Sequence, residues 1–111
     1  GATPLIIASQ QGHLEIARLL LEANVAVNQA TNNGFTPLFI ACQKGHLDVA
    51  RLLLEASAAV NQADEDGATP LYIACHEGHL EIARLLLETS AAVNQADARG
   101  VTPLYVASQN G

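Results

Sequence analysis

The stretch GFTPLFIACQKGHLDVARLLLEASAAVNQADED, residues 34–66, decides the fold because nearly the same 33 letters precede it and follow it. The segments 1–33, 34–66 and 67–99 carry the same residue at 20 of 33 positions, and residues 100–111 repeat the beginning of the pattern as a partial fourth unit. Such a period predicts a solenoid, in which each unit contacts mainly its neighbours. We therefore expect a single repeat domain over residues 1–111.

Each unit contains the pattern of two short helices. Thr36 and Pro37 mark the start of the first, inner helix, since a threonine hydroxyl caps free backbone N–H groups and proline is tolerated in the first turn. This helix is predicted to end near Lys44, because Gly45 supplies a left-handed conformation. Apolar residues at helical spacing predict a second, outer helix over 47–55. Helices this short are unstable alone in water, so their stability must come from stacking.

The connection to the next unit is predicted to be non-helical. The stretch Val60-Asn61-Gln62-Ala63 has extended character, and Asp66-Gly67 is typical of a tight turn. The predicted fold is therefore all-α, a helix-turn-helix solenoid with short hairpin-like turns.

The repeated unit resembles the ankyrin repeat, which has a 33-residue period and a Thr-Pro-Leu-His-x-Ala signature. The resemblance covers the whole chain and implies a turn, an inner helix, a loop and an outer helix in each unit. It also implies that the inner helices and turn tips form a concave groove that binds another protein. The matching stretches of the central unit are Thr36-Pro37-Leu38 with Ala41, Gly45-His46-Leu47, Leu52-Leu53-Leu54-Glu55 and Val60-Asn61.

The chain departs from the family pattern at three places in each full unit, one of which is an alanine, Ala26, Ala59 or Ala92, where the family has aspartate before Val-Asn. The usual histidine after Thr-Pro-Leu is absent, and we expect apolar packing to replace the hydrogen bonds that this histidine makes between turns. The usual glycine after the outer helix is also absent, and because serine tolerates positive φ poorly, we expect these helix ends to close differently. The family histidine is replaced by Ile6, Phe39, Tyr72 and Tyr105, and the family glycine is replaced by Asn24, Ser57 and Ser90.

Composition and motifs exclude several classes of function. The net charge is −6, with 11 acidic and 5 basic side chains, whereas a nucleic-acid binder needs a basic patch. No apolar run approaches the roughly 20 residues of a membrane span. The sequence contains no Gly-rich phosphate loop, nucleophile elbow or His-Glu-x-x-His helix. We predict a protein that is not an enzyme, carries no cofactor and binds neither nucleic acid nor membrane.

The cysteines are predicted to be free thiols. Cys42 and Cys75 occupy equivalent positions, and packed helices lie about 8–10 Å apart, beyond the roughly 7 Å that a disulfide spans. Free thiols favour an intracellular, reducing location, cytoplasmic or nuclear.

The histidines and repeated carboxylates are best explained by structure. Cys75, His76 and His79 resemble a metal cluster in the sequence, but Gly78 interrupts the helix between the two histidines, so we predict no metal site. One histidine follows a glycine in each unit, and we expect its ring to bond the backbone. One carboxylate per unit follows at the start of the outer helix, and we expect it to lie on a solvated outer face. The histidines are His13, His46 and His79, and the carboxylates are Glu15, Asp48 and Glu81.

Variation between the units is concentrated at the turn tips and at the ends of the inner helices. Ankyrin-like proteins typically use these positions for contacts, although tolerant surface positions can also drift. Phe35 fits an exposed aromatic anchor at a tip, or alternatively packs against Phe39. The predicted partner-binding residues are Asn32, Asn33, Phe35, Gln43, Lys44, Glu65, Asp66, Ala68, His76, Glu77, Arg99 and Val101.

The leading hypothesis is a protein–protein interaction scaffold that uses the concave groove. The alternative is an engineered or excised structural repeat scaffold with no natural partner, which the near-identity of the units and the absence of methionine favour. Residues 103–110 should be helical but the least protected helix, because the partial fourth unit contains no outer-helix sequence. We expect mostly monomer, with weak head-to-tail self-association.

Overall fold

The structure, a computed structural model, describes residues 2–89. These residues form three pairs of helices: α1 (Pro4–Gln11) and α2 (Leu14–Glu22), α3 (Pro37–Lys44) and α4 (Leu47–Glu55), α5 (Pro70–His76) and α6 (Leu80–Glu88). This described part contains no strand, so the all-α helix-turn-helix prediction is confirmed. The bounds predicted for the central unit agree with α3 and α4. The helix predicted over 103–110 lies outside the described residues.

The inner helices begin at the predicted threonine caps. The hydroxyls of Thr3, Thr36 and Thr69 each accept the N–H of the residue three positions later at 3.1 Å. Proline follows each cap, where the missing N–H costs nothing. α1 and α3 end at Gly12 and Gly45, whose φ angles of 72° and 80° are left-handed.

The connections after α2 and α4 begin with non-glycine residues in the left-handed region. Asn24 has φ 63° and Ser57 has φ 68°, so the expectation that serine would close the helix differently is wrong at Ser57. The reason is hydrogen bonding: this conformation lets Ser57 donate to the Leu54 carbonyl and Ala58 donate to the Leu53 carbonyl, both at 3.0 Å. These bonds satisfy carbonyls that the helix leaves free, which offsets the steric cost. Ser90 lies outside the described residues.

The turn tips at 31–35 and 64–68 are hairpin-like, as predicted. In the first, Thr31 donates to the Phe35 carbonyl at 3.0 Å; in the second, Asp64 donates to the Ala68 carbonyl at 2.9 Å. The extended stretch predicted to begin at Val60 is wrong in its first half, because Val60 and Asn61 lie in a turn. The chain must reverse here to pass from the outer helix to the tip.

The helices form two layers. α1, α3 and α5 pack side by side in the inner layer, α2, α4 and α6 in the outer layer, and each outer helix packs on its own inner helix. The replacements of the family histidine, Ile6, Phe39 and Tyr72, are 3%, 2% and 5% exposed, which confirms the expected apolar packing. Tyr105 lies outside the described residues. None of the described helices has the length and apolar character needed to cross a bilayer.

Candidate partner-binding surface

Histidine side chains connect consecutive repeats. Nε2 of His46 lies 3.0 Å from the Gln10 carbonyl oxygen, and Nε2 of His79 lies 3.1 Å from the Gln43 carbonyl oxygen. The prediction that these rings bond the backbone is confirmed at His46 and His79, and in both cases the acceptor belongs to the preceding repeat. The ring of His13 makes no such bond among residues 2–89. The ring of His46 also lies against Gly12, where a Cβ would come within 2.7 Å of its Nδ1. Each such glycine therefore both ends its inner helix and admits the next repeat's histidine.

Two further hydrogen bonds between described residues of neighbouring repeats were missed by the sequence analysis. Oδ1 of Asn28 accepts the N–H of Ala59 at 2.8 Å. At the tips, the N–H of Glu65 donates to the Asn33 carbonyl at 3.0 Å. The one indication in the sequence was that an asparagine stands at the position of Asn28 in all three full units.

The tip cluster consists of Asn32, Asn33, Glu65 and Asp66, and all four residues are exposed. Its backbone is held from within, because Oδ1 of Asp64 accepts the N–H groups of Asp66 and Ala68, each at 2.9 Å. The bond between Asn33 and Glu65 joins the two tips. The structure therefore brings these four predicted residues together on a hydrogen-bonded frame.

The helix-end cluster consists of Lys44, His76 and Glu77, which are also exposed. Lys44 ends α3, and His76 ends α5. Nδ1 of His76 lies 3.3 Å from Oε2 of Glu77, and its ring lies nearly parallel to that of Tyr72, with centroids 6.2 Å apart. Gln43, predicted in the same group, is half-buried, and its carbonyl bonds the next repeat's histidine.

Besides Gln43, two predicted contact residues do not have exposed side chains. Phe35 is half-buried and stacks on Phe39, with centroids 5.1 Å apart and planes 17° apart, so the packing alternative is the correct one. Ala68 is only 7% exposed and cannot offer a side chain to a partner. Both residues immediately precede a capping threonine; Ala68 belongs to the hydrophobic core, and Phe35 packs against it. Arg99 and Val101 lie outside the described residues.

The outer face repeats one arrangement in every unit. A carboxylate in the first turn of each outer helix pairs with an arginine three residues later: Glu15 with Arg18 at 3.5 Å, Asp48 with Arg51 at 3.7 Å, and Glu81 with Arg84 at 3.2 Å. All six residues are exposed, so the predicted solvated outer face is confirmed. Such pairs contribute only a few tenths of a kcal/mol each.

The described surface offers charges and hydrogen-bonding groups. Cys42 is buried and Cys75 half-buried; burial raises the pKa of both thiols, which suppresses the nucleophilic thiolate at neutral pH. Within residues 2–89, no three His, Cys, Asp or Glu side chains are grouped so that they could hold a metal ion. Recognition by shape and charge is the chemistry that this arrangement supports.

Comparison with known proteins connects this architecture to a family. A family model described as ankyrin repeats, in three copies, matches residues 1–64 and 56–111. The two matches overlap in the connection that follows α4 and together cover the chain. No curated protein matches the sequence.

Proposed function

The chain belongs to the ankyrin repeat family, and on that premise we propose that it is a scaffold that binds another protein through the groove of its inner helices and turn tips. Ankyrin repeats are generally protein–protein interaction modules. The observation that carries the proposal is the location of variation. The tip and helix-end clusters differ between units, whereas the histidine, glycine and asparagine that join the repeats are identical in all three.

Hydrogen bonding within and between the tips supports this use of the surface. The backbone beneath the tip cluster is fixed by Asp64 and by the bond between Asn33 and Glu65 before any partner arrives. A preorganised surface loses less conformational entropy on binding, so more of the contact energy becomes affinity.

The charges of the two clusters indicate the kind of partner. Glu65, Asp66 and Glu77 are exposed carboxylates, while Lys44 is the one cation among the described members. Complementary charge accelerates encounter and selects partners. We therefore propose a protein partner whose contact residues include more Lys and Arg than Asp and Glu.

Affinity capture with paired baits tests the proposal. The groove variant carries Glu65→Lys and Asp66→Lys, and the control carries Glu15→Lys and Glu81→Lys on the outer face, which makes the same change in net charge. We expect proteins that wild type and control retain from a lysate to be lost from the groove variant. Equal retention by all three baits contradicts groove binding.

The footprint of a retained protein provides the second measurement. Chemical-shift perturbation should include the tip cluster together with Lys44 and His76. A footprint confined to the outer helices, around Glu15, Asp48 and Glu81, overturns the proposal.

A repeat scaffold without a natural partner, engineered or excised, is the second candidate. Identity at 20 of 33 positions and the unit-by-unit repetition of the outer ion pairs favour it. It predicts that no protein distinguishes wild type from the groove variant. The free thiols support an intracellular, reducing location, and we expect a chain that is mostly monomeric, with weak head-to-tail self-association at most.

A further inference from the structure

The first turn tip contains an asparagine that is followed by a glycine, Asn33-Gly34. In such a pair the backbone nitrogen of the glycine can attack the side-chain amide carbon of the asparagine, because no Cβ on the second residue blocks the approach. The side chain of Asn33 is exposed and makes no hydrogen bond to another residue within 2–89. Its amide carbon is therefore open to this attack.

The other described asparagines lack this feature, since each precedes a residue with a side chain. A Cβ on the attacking residue hinders ring closure, so these asparagines are controls within the same molecule. They are Asn24, Asn28, Asn32 and Asn61, which are followed by valine, glutamine, asparagine and glutamine. The sequence has a second Asn-Gly pair at residues 110–111, which lies outside the described residues.

Hydrogen bonds hold the reacting groups in the closed tip. The N–H of Gly34 donates to the Thr31 carbonyl at 2.9 Å, and the carbonyl of Asn33 accepts the N–H of Glu65 at 3.0 Å. The Thr31 hydroxyl also accepts the N–H of Phe35 at 3.1 Å. An N–H group that donates a hydrogen bond loses its proton slowly, so the reaction requires the tip to open locally.

The second tip shows that an aspartate fits the position of Asn33. Asp66 stands at the equivalent position and is followed by Gly67, whose φ of 81° is close to the 86° of Gly34. The N–H of Gly67 donates to the Asp64 carbonyl at 3.0 Å, which is the same bond that closes the first tip. Hydrolysis of the Asn33 amide therefore yields a side chain that this turn already accommodates.

We propose that Asn33 is a deamidation site whose rate is set by opening of the first tip. The Gly34 nitrogen loses its proton and bonds to Cγ of Asn33, the bond from Cγ to Nδ2 breaks, and ammonia leaves with the proton. Water then opens the succinimide ring. Cleavage of the new bond between nitrogen and Cγ gives aspartate, and cleavage of the original peptide bond gives isoaspartate. Water is the only co-reactant, and no atom is oxidised or reduced.

The two products affect the tips differently. Aspartate leaves the backbone unchanged and adds a negative charge to the tip cluster. Isoaspartate lengthens the main chain by a methylene group and displaces the carbonyl that accepts the Glu65 N–H. There is little room for this displacement, since a Cβ added to Gly34 would lie 2.9 Å from Cα of Asp64 and 2.9 Å from the Glu65 nitrogen. Isoaspartate at position 33 therefore breaks the bond between the two tips, whereas aspartate keeps it.

Peptide mapping of the full chain by mass spectrometry tests the proposal. The chain is incubated in mildly alkaline buffer, either folded or unfolded in guanidinium chloride, and each asparagine is followed separately. In the folded chain, Asn33 should convert at least about tenfold faster than any other described asparagine, because it alone among them precedes glycine. It should convert about tenfold more slowly than in the unfolded chain, because the tip must first open.

Two outcomes of this comparison contradict the proposal. If Asn33 does not convert in the folded chain over a time in which the unfolded chain converts fully, it is not a deamidation site of the native protein. If Asn33 converts at the same rate in both states, opening of the tip does not set the rate.

Substitutions at Thr31 test the dependence on opening a second way. Thr31→Ala removes the hydroxyl that accepts the Phe35 N–H and should accelerate conversion of Asn33 about threefold or more. Thr31→Ser is the matched control, which keeps this oxygen and should convert at the wild-type rate. Unchanged amide exchange in α3 and α4 verifies that both variants are folded. Equal rates in wild type and both variants contradict the dependence on opening.

Amide exchange at Glu65 tests the consequence for the tips. The two products are separated by chromatography, and Asn33→Asp provides a reference for the aspartate form. Exchange of the Glu65 N–H should be unchanged in this variant and in the aspartate product, and at least about tenfold faster in the isoaspartate product. Equal protection in both products overturns the assigned difference. None of these results depends on whether a partner binds the groove, so the inference and the proposed function can fail separately.

Discussion

At the scale of single residues, Ser57 adopts a backbone conformation that its side chain disfavours. Its φ of 68° lies in the left-handed region, and its exposed side chain makes no hydrogen bond among the described residues that would compensate. The strained conformation is stable because it allows the carbonyls of Leu53 and Leu54, at the end of α4, to accept hydrogen bonds. Glycine at position 57 relieves this strain, but glycine also loses more conformational entropy on folding than serine does. The two effects on the free energy of unfolding therefore partly cancel.

We predict that Ser57→Gly stabilises the protein by roughly 0.5–1 kcal/mol, the left-handed penalty less the entropic cost of glycine. Asn24→Gly is the matched control; it should stabilise less, because asparagine tolerates φ 63° better than serine tolerates φ 68°. Urea unfolding measures both free energies. Destabilisation by Ser57→Gly, or a larger gain at Asn24, would contradict the strain argument.

At the scale of helices, the contact between an inner-helix end and the next repeat's histidine couples neighbouring units. His46 combines a hydrogen bond to Gln10 with packing of its ring over Gly12. Alanine at position 46 removes both and leaves an exposed carbonyl that water can reach. His13 has the same sequence context but no preceding repeat in the described structure.

We predict that His46→Ala costs about 1–2 kcal/mol in unfolding free energy, the contribution of one hydrogen bond and its packing. His13→Ala should change it by less than about 0.5 kcal/mol, as an exposed surface substitution does. Gly12→Ala should cost less in the His46→Ala background, because its Cβ then no longer meets the ring at 2.7 Å. If the two losses of unfolding free energy are additive in this double-mutant cycle, the His46 ring is not in contact with position 12.

At the scale of the whole molecule, stability depends on where a residue stands in the array. Leu20 and Leu53 occupy the same repeat position, yet Leu53 is 0% exposed and Leu20 is half-buried. Leu53 lies between two neighbouring repeats, whereas Leu20 has one described neighbour. The same substitution should therefore have different costs at the two places.

We predict that Leu53→Ala destabilises the protein by about 2–5 kcal/mol, as large-to-small changes in a closed core do. Leu20→Ala should cost clearly less, since its site is already open on one side and leaves a smaller new cavity. Guanidinium unfolding of both variants provides the comparison. Equal losses would contradict stabilisation by nearest neighbours.

Local chemistry explains what the sequence determined about the fold. The threonine caps, the following prolines and the glycines at 12 and 45 act within a few residues of their own helix, so the bounds of α3 and α4 could be predicted from one unit. Repetition then implied stacking, and with it the two layers. Of the candidate site, the exposed tip and helix-end positions were predictable because variation between otherwise identical units marks surfaces that packing does not constrain.

Contacts between repeats were decided only by the tertiary structure. The partners of His46 and Asn28 lie 36 and 31 residues away, and the stacking of Phe35 and the burial of Ala68 depend on how closely each tip approaches its inner helix. The 33-residue period by itself determines neither which atoms of neighbouring repeats come within hydrogen-bond distance nor how closely a tip approaches its inner helix. Ile16 and Ile82 show the limit most directly: the same residue at the same repeat position is 49% exposed in one and 2% in the other, because burial is set by the neighbouring repeat and not by the unit that contains the side chain.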